Sequence, residues 1–190
     1  MARVKSLILA GEVDRDIIEE IDQLKTETTE TRMAVLTAAG AYSPELDGAQ
    51  KDNISGTYFD YPVCKFNKDT DEYIYYFFNL PPDYQAGNIT VKLTWIAPTA
   101  TSGAVVWNLA VRGVGAGEAW DAALGSTQAK TQTTEDVAGE KNVCTFDPFN
   151  PGWAAGDTVI VKISRDADNA SDTLAEDAYF IEAVIEYTGK

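Results

Sequence analysis

From Ile54 onward the sequence alternates apolar and polar residues with a period of two, the signature of half-buried β-strands. Ile89, Val91, Leu93 and Trp95 share one face, with Thr90, Lys92 and Thr94 on the other. Val105, Trp107, Leu109 and Val111 repeat the arrangement, as do Val159, Val161 and Ile163 against Thr158, Lys162 and Ser164. Turn-forming runs separate these segments: Lys68-Asp69-Thr70-Asp71, Pro81-Pro82-Asp83, Thr101-Ser102-Gly103 and Ala155-Gly156-Asp157. The pattern predicts strands near 56–66, 72–80, 89–96, 104–112, 127–134, 141–147, 158–165 and 177–187. Eight strands with no helical period between them predict a two-sheet antiparallel sandwich, best met by an eight-stranded jelly roll.

Tyr73-Ile74-Tyr75-Tyr76-Phe77-Phe78 breaks the half-buried rule, because both of its faces are apolar or aromatic. Either it is a central strand whose outer face lies under a loop or the N-terminal helix, or a neighbouring subunit covers that face. On the second reading Tyr73, Tyr75 and Phe77 are candidates for oligomerisation.

The first fifty residues follow a different period. Residues 12–31 hold eight acids and two bases, with Ile17, Ile21 and Leu24 spaced by four and three, and Thr28, Thr31 and Val35 continuing the rhythm. This predicts an amphipathic helix preceding the sandwich, its narrow apolar seam suited to packing on the domain or to a short parallel coiled coil. Ile17, Ile21 and Leu24 are therefore further oligomerisation candidates. Ala38 to Asp52, broken by Gly40, Pro44 and Gly48, reads as a linker. The expected organisation is an N-terminal arm, helix and linker over 1–50 and a sandwich over 51–190.

Charge and composition narrow the function. Thirty acidic residues against fifteen basic ones give a net charge of -15. A field of that sign argues against nucleic acid and anionic membranes as partners. No segment approaches the ~20 apolar residues of a membrane span. The complete absence of histidine removes the commonest general base and metal ligand. There is no Gly-x-Ser-x-Gly, and neither Cys64 nor Cys144 has a histidine to activate it. The expectation is a protein that is not an enzyme and takes no cofactor or metal.

Three weaker patterns remain in the sequence. Asp166, Asp168 and Asp172 fall at relative positions 1, 3 and 7, a spacing that can wrap Ca²⁺, but the glycine and glutamate of an EF-hand loop are missing. A solvated hairpin is the preferred reading, with Lys68 to Glu72 a still weaker acidic loop. Gly113-Val114-Gly115-Ala116-Gly117 follows a strand, yet lacks the spacing and helix of a dinucleotide cradle, so it reads as a loop. Tyr84, Trp120, Phe149 and Trp153 sit in turn-like contexts, where aromatic rings either plug the ends of a sandwich or stack sugar rings. Trp120 and Trp153 are the glycan-contact candidates.

From Thr94 to Tyr187 the chain resembles the jelly-roll domain of structural proteins of tailed bacteriophage virions. The resembling segments are Trp95-Ile96-Ala97-Pro98, Ser102 to Trp107, Glu118 to Ala123, Ala155 to Asp166 and Phe180 to Tyr187. That resemblance implies a virion component: a capsid (head) decoration protein, head fibre or tail-fibre domain. It would be a homotrimer, with other virion proteins such as the major capsid protein as partners. The leading expectation is therefore a non-enzymatic structural protein of a bacteriophage particle, located in the virion. The alternative is a carbohydrate-binding β-sandwich module, for example a receptor-binding fibre domain that meets a cell-surface glycan.

The cysteines supply a test of topology. Within one jelly-roll sheet the strand order is first, eighth, third, sixth, which puts Cys64 and Cys144 on opposite edges. Three interstrand spacings, roughly 14 Å, then separate them. A disulfide reaches only about 7 Å between Cα atoms, so both thiols are expected to be free and buried.

Overall fold

The computed structural model describes residues 29–190. Ten strands run through them: β1 (Glu30–Thr37), β2 (Gln50–Ser55), β3 (Asp60–Phe66), β4 (Glu72–Asn79), β5 (Tyr84–Ile96), β6 (Ala104–Val114), β7 (Gln128–Thr133), β8 (Lys141–Thr145), β9 (Thr158–Arg165) and β10 (Ala178–Gly189). One sheet has the order β2-β3-β10-β5-β8, with β1 also pairing β10; the other has the order β4-β9-β6-β7. Every pairing between named strands is antiparallel. Counting from β3, the sheets read first-eighth-third-sixth and second-seventh-fourth-fifth, the jelly-roll order.

The inward face of each alternating segment makes the core. Ile89, Val91, Leu93 and Trp95 of β5, Val105, Trp107 and Leu109 of β6, and Val159, Val161 and Ile163 of β9 are all buried. Trp107 packs edge-on to Phe66, with ring centroids 5.1 Å apart, and tilts against Trp95 at 6.0 Å. Such aromatic contacts add about 0.5–1.5 kcal/mol each beyond the area that they bury.

Two expectations change at the N-terminal side. Most of the predicted helix, including Ile17, Ile21 and Leu24, lies outside the described residues. Its last two residues, Glu30 and Thr31, belong to strand β1, as does Val35 of the predicted seam. There the operative period is two: Leu36 is buried and Ala34 half-buried, while Met33 and Val35 face out. Partnering explains the change, because all eight residues of β1 pair with β10, from Glu30 opposite Gly189 to Thr37 opposite Glu182.

The predicted linker is also built into the fold. Ala38–Gly40 form a 3₁₀ turn, β2 pairs β3, and residues 42–48 bond the free edge of β4. There the Tyr42 N–H donates to Tyr75 O at 2.9 Å, and the Tyr75 N–H returns a bond to Tyr42 O at 2.8 Å. The strand expected over 56–66 starts at Asp60, after a turn in which the Gly56 N–H donates to Phe59 O at 3.1 Å. A Cβ on Gly56 would stand 2.6 Å from that carbonyl, so the turn requires glycine.

Cys64 lies on β3 and Cys144 on β8, with β10 and β5 between them, and both thiols are free and buried. Burial pushes the Cys64 thiol up to about 11 and the Cys144 thiol up to about 12.

The loop between β9 and β10 is not a wholly solvated hairpin. The Asp172 side chain is 1% exposed and that of Arg165, at the end of β9, is 0% exposed. All five Arg165 N–H donors find acceptors. Nε and Nη2 reach the Asp172 carboxylate at 3.0 and 2.8 Å; Nη2 also reaches Leu174 O at 3.1 Å, and Nη1 reaches Phe66 O at 3.3 Å and Glu176 O at 3.0 Å. The Val106 N–H donates to the same carboxylate at 3.1 Å. This buried pair ties the loop to both sheets.

Candidate functional site

The outer face of the β4-β9-β6-β7 sheet carries the unusual chemistry. On β4 alternation sends Ile74 and Tyr76 into the core and leaves Tyr73, Tyr75 and Phe77 on the outside. Tyr76 still finds a partner, its hydroxyl donating to Thr37 O at 2.8 Å. Cross-strand register then sets the rows of the outer face. Tyr73 stands opposite Ser164, which faces Asn108; Tyr75 opposite Lys162, which faces Ala110; and Phe77 opposite Ile160, which faces Arg112.

Two segments wall this face. Tyr42, inside the expected linker, pairs with Tyr75 and brings its ring to 6.4 Å from Phe77. From the other side the loop after β6 folds back, and Trp120 stacks on Phe77 with centroids 6.2 Å apart and planes 20° from parallel. Tyr42, Phe77 and Trp120 remain 57%, 49% and 58% exposed, so about half of each residue is open to solvent. Large aromatic rings are seldom left open in this way without a partner.

Two depressions lie side by side here. One, of about 350 Å³, is lined by Tyr42, Tyr75, Phe77, Trp120, Leu124 and Ile160, with Asp121 at its edge. The other, of about 330 Å³, is polar and includes Asp47, Asp71, Glu72, Asn108, Lys162 and Ser164. The cross-strand partners Tyr75 and Lys162 mark their boundary. The Lys162 ammonium sits 4.0 Å from the centre of the Tyr73 ring, a cation–π contact. Burial raises the Glu72 carboxyl above its usual range, partly offset by a 2.7 Å bond from the Asn67 N–H. Asn108 Oδ1 is buried with no hydrogen-bond partner among the described residues. The arrangement therefore offers exposed aromatic surface at one end and hydrogen-bonding groups at the other.

The sequence-derived candidates separate on this map. Tyr73, Tyr75, Phe77 and Trp120 come together on the groove. Trp153 does not: it is 2% exposed and plugs one end of the sandwich, packed edge-on to Phe78 at 6.4 Å and against Tyr84 at 6.4 Å. It comes so close to the backbone that a Cβ on Gly113 would lie 2.8 Å from its ring, and this burial leaves no ring surface for a glycan. Tyr42, Lys162 and Arg112 were missed. For Lys162 the period-two pattern already marked the outward side of β9, but nothing local in the sequence placed that side beneath aromatic rings.

The acidic loops regroup. Asp172 is taken up by Arg165, so the spacing of Asp166, Asp168 and Asp172 does not form one cluster. Instead Asp71, from the turn before β4, joins Asp166 and Asp168, with carboxylate oxygens within 4.8 Å of one another. The Asp71 charge is the main cause of the raised Asp168 carboxyl. These are the residues of the described chain that could hold a cation. In the glycine loop, the Gly115 N–H is occupied by the Glu118 carboxylate at 3.1 Å, which leaves no phosphate cradle there.

No known family model matches this sequence, and no curated protein does. Among solved structures, the chain is similar to the CBM36-1 domain of a multidomain xylanase from the hindgut metagenome of Trinervitermes trinervoides, with 13% identity and a TM-score of 0.46 over 81% of this chain and 96% of that one. It is similar to CBM35 from Cellvibrio japonicus Abf62, with 12% identity and a TM-score of 0.44 over 84% of this chain and 99% of that one. It is also similar to the structure of infectious bursal disease virus Gx strain, with 13% identity and a TM-score of 0.41, covering 84% of this chain and 32% of that one. The jelly-roll assignment itself rests on the strand order.

Proposed function

We propose that the chain is a non-catalytic carbohydrate-binding jelly-roll module that takes a glycan across the outer face of β4, β9 and β6. The observation that carries this reading is the composite groove. Phe77 and Trp120 present exposed aromatic surface beside a pocket holding Asp47, Asp71, Glu72, Asn108 and Lys162. A pyranose has the matching character, with an apolar C–H face to stack on a ring and a rim of hydroxyls to donate and accept. Rigid aromatic platforms bind such faces at little entropic cost, and flanking polar groups set orientation.

A glycan array with purified protein tests this. Wild-type protein should bind a subset of glycans, and Trp120→Ala should weaken that binding by about tenfold, the equivalent of one lost stacking contact of about 1.5 kcal/mol. Trp153→Phe should leave it unchanged. A blank array for folded wild-type protein refutes the reading.

A second reading keeps the chain as a structural subunit of a bacteriophage virion, in which the same aromatic face is covered by another copy. It is motivated by the exposure of Tyr42 and Phe77 together with the segments that resemble virion proteins. Sedimentation separates the two. A stable trimer dissociated by Phe77→Asp favours the virion subunit, and a monomer that binds glycan favours the module.

A further inference from the structure

We infer that Arg112 is a positioning residue that holds Trp120 in place over Phe77; its bearing on binding rests on the glycan reading above. The loop leaves β6 after Val114 and is tied twice. Near its start the Glu118 N–H donates to Gly115 O at 3.2 Å, and at its return the Gly125 N–H donates to Val111 O at 3.0 Å. Between these ties, among the described residues, the only hydrogen bonds to residues 119–124 come from Arg112: Nη2 reaches Ala119 O at 2.8 Å and Nη1 reaches Trp120 O at 3.1 Å.

The register of the sheet explains why this residue does the job. Arg112, Ile160 and Phe77 form one row across β6, β9 and β4. A guanidinium rising from the β6 end of that row can hold the loop backbone over Ile160, which delivers the Trp120 indole to Phe77 at the other end. The planar fork of arginine bridges two consecutive carbonyls at once, whereas a lysine ammonium has no fixed pair of donors. Trp120 is 58% exposed, so packing alone does little to fix its ring.

Acrylamide quenching of tryptophan fluorescence reads this directly. Trp95, Trp107 and Trp153 are buried, so the quencher reaches mainly Trp120, and Trp120→Phe should remove the quenchable component. Arg112→Gln and Arg112→Lys are each expected to raise the quenching constant by roughly twofold, with a melting temperature within about 4 °C of wild type, as fits the loss of two surface hydrogen bonds. Binding of Arg112→Gln to the glycans bound by wild type should fall roughly three- to tenfold although Trp120 is still present. Unchanged quenching in both variants overturns the inference, as does raised quenching with binding at wild-type strength. Raised quenching with a blank wild-type array supports the positioning role and removes the glycan reading instead.

Discussion

Removing the Asp172 carboxylate is the sharpest test of how this sandwich is held together. Asp172→Asn keeps the volume but leaves the Arg165 guanidinium charged, fully buried and unpaired. Two of its five hydrogen bonds end on that carboxylate, at 3.0 and 2.8 Å, and the Val106 N–H ends there too. Breaking one side of a buried ion pair costs about 3–5 kcal/mol, far more than the ~0–1 kcal/mol of an exposed pair. For a domain of this size each kcal/mol lowers the melting temperature by about 2–4 °C, so a fall of roughly 6–20 °C is expected. Urea unfolding of Asp172→Asn, Arg165→Met and the double variant measures the coupling. Because the charges leave together, the double variant should be less destabilised than the sum of the two by at least ~1 kcal/mol. A cost below about 1 kcal/mol for Asp172→Asn, or strict additivity, would refute the reasoning.

Other outcomes follow from the same structure. The two thiols should resist a thiol reagent in native protein near neutral pH and react as two equivalents once it is denatured. Both folded thiols titrate above the ordinary value of 9.0, at about 11 and about 12, so the folded state holds its protons longer than the unfolded chain. Their contribution is fully present below pH 9 and is lost as pH rises through these folded values; stability should fall over that window, and Cys144→Ala should flatten the fall. Trp153→Ala should cost about 3–5 kcal/mol in denaturant unfolding, as a buried plug does, whereas Trp120→Ala should stay within about 1 kcal/mol. With a net charge of -15, melting temperature should rise as salt goes from 0.01 to 0.15 M, where the Debye length shrinks from about 30 to about 8 Å; a fall would contradict a role for self-repulsion.

β5, β6 and β9 could be read in advance because each has one buried face made of apolar residues, and alternation follows burial. By contrast, β7, β8 and the doubly aromatic β4 were placed by length and by the turns that flank them. Trp95, Trp107 and Ile163 announce that face by themselves. β1 and β2 escaped because their evidence lies elsewhere in the chain: Thr31 to Leu36 become a strand only when β10 is beside them. The same limit shaped the site. Tyr73, Tyr75 and Phe77 stood out as aromatic residues with no need to face the core, whereas Tyr42 and Trp120 lie 31 and 45 residues from Tyr73 and Tyr75, and only the sheet edge and the returning loop unite them. Trp153 and Trp120 have similar local surroundings in sequence, and long-range packing alone decides that one is a plug and the other a surface.

The pairing of β1 with β10 also has a mechanical side. Glu30 stands opposite Gly189, so the chain leaves this pair for its two ends at the same corner. A pull between Glu30 and Gly189 would load the eight residue pairs one after another, from that corner inward to Thr37 and Glu182, as a zipper opens. Peeling concentrates force on one bond at a time, whereas sliding the strands past each other would spread it over all of them. Under a pull at Glu30 and Gly189, β1 is therefore the first of the described strands to give way, ahead of the Arg165–Asp172 tie and the two-sheet core.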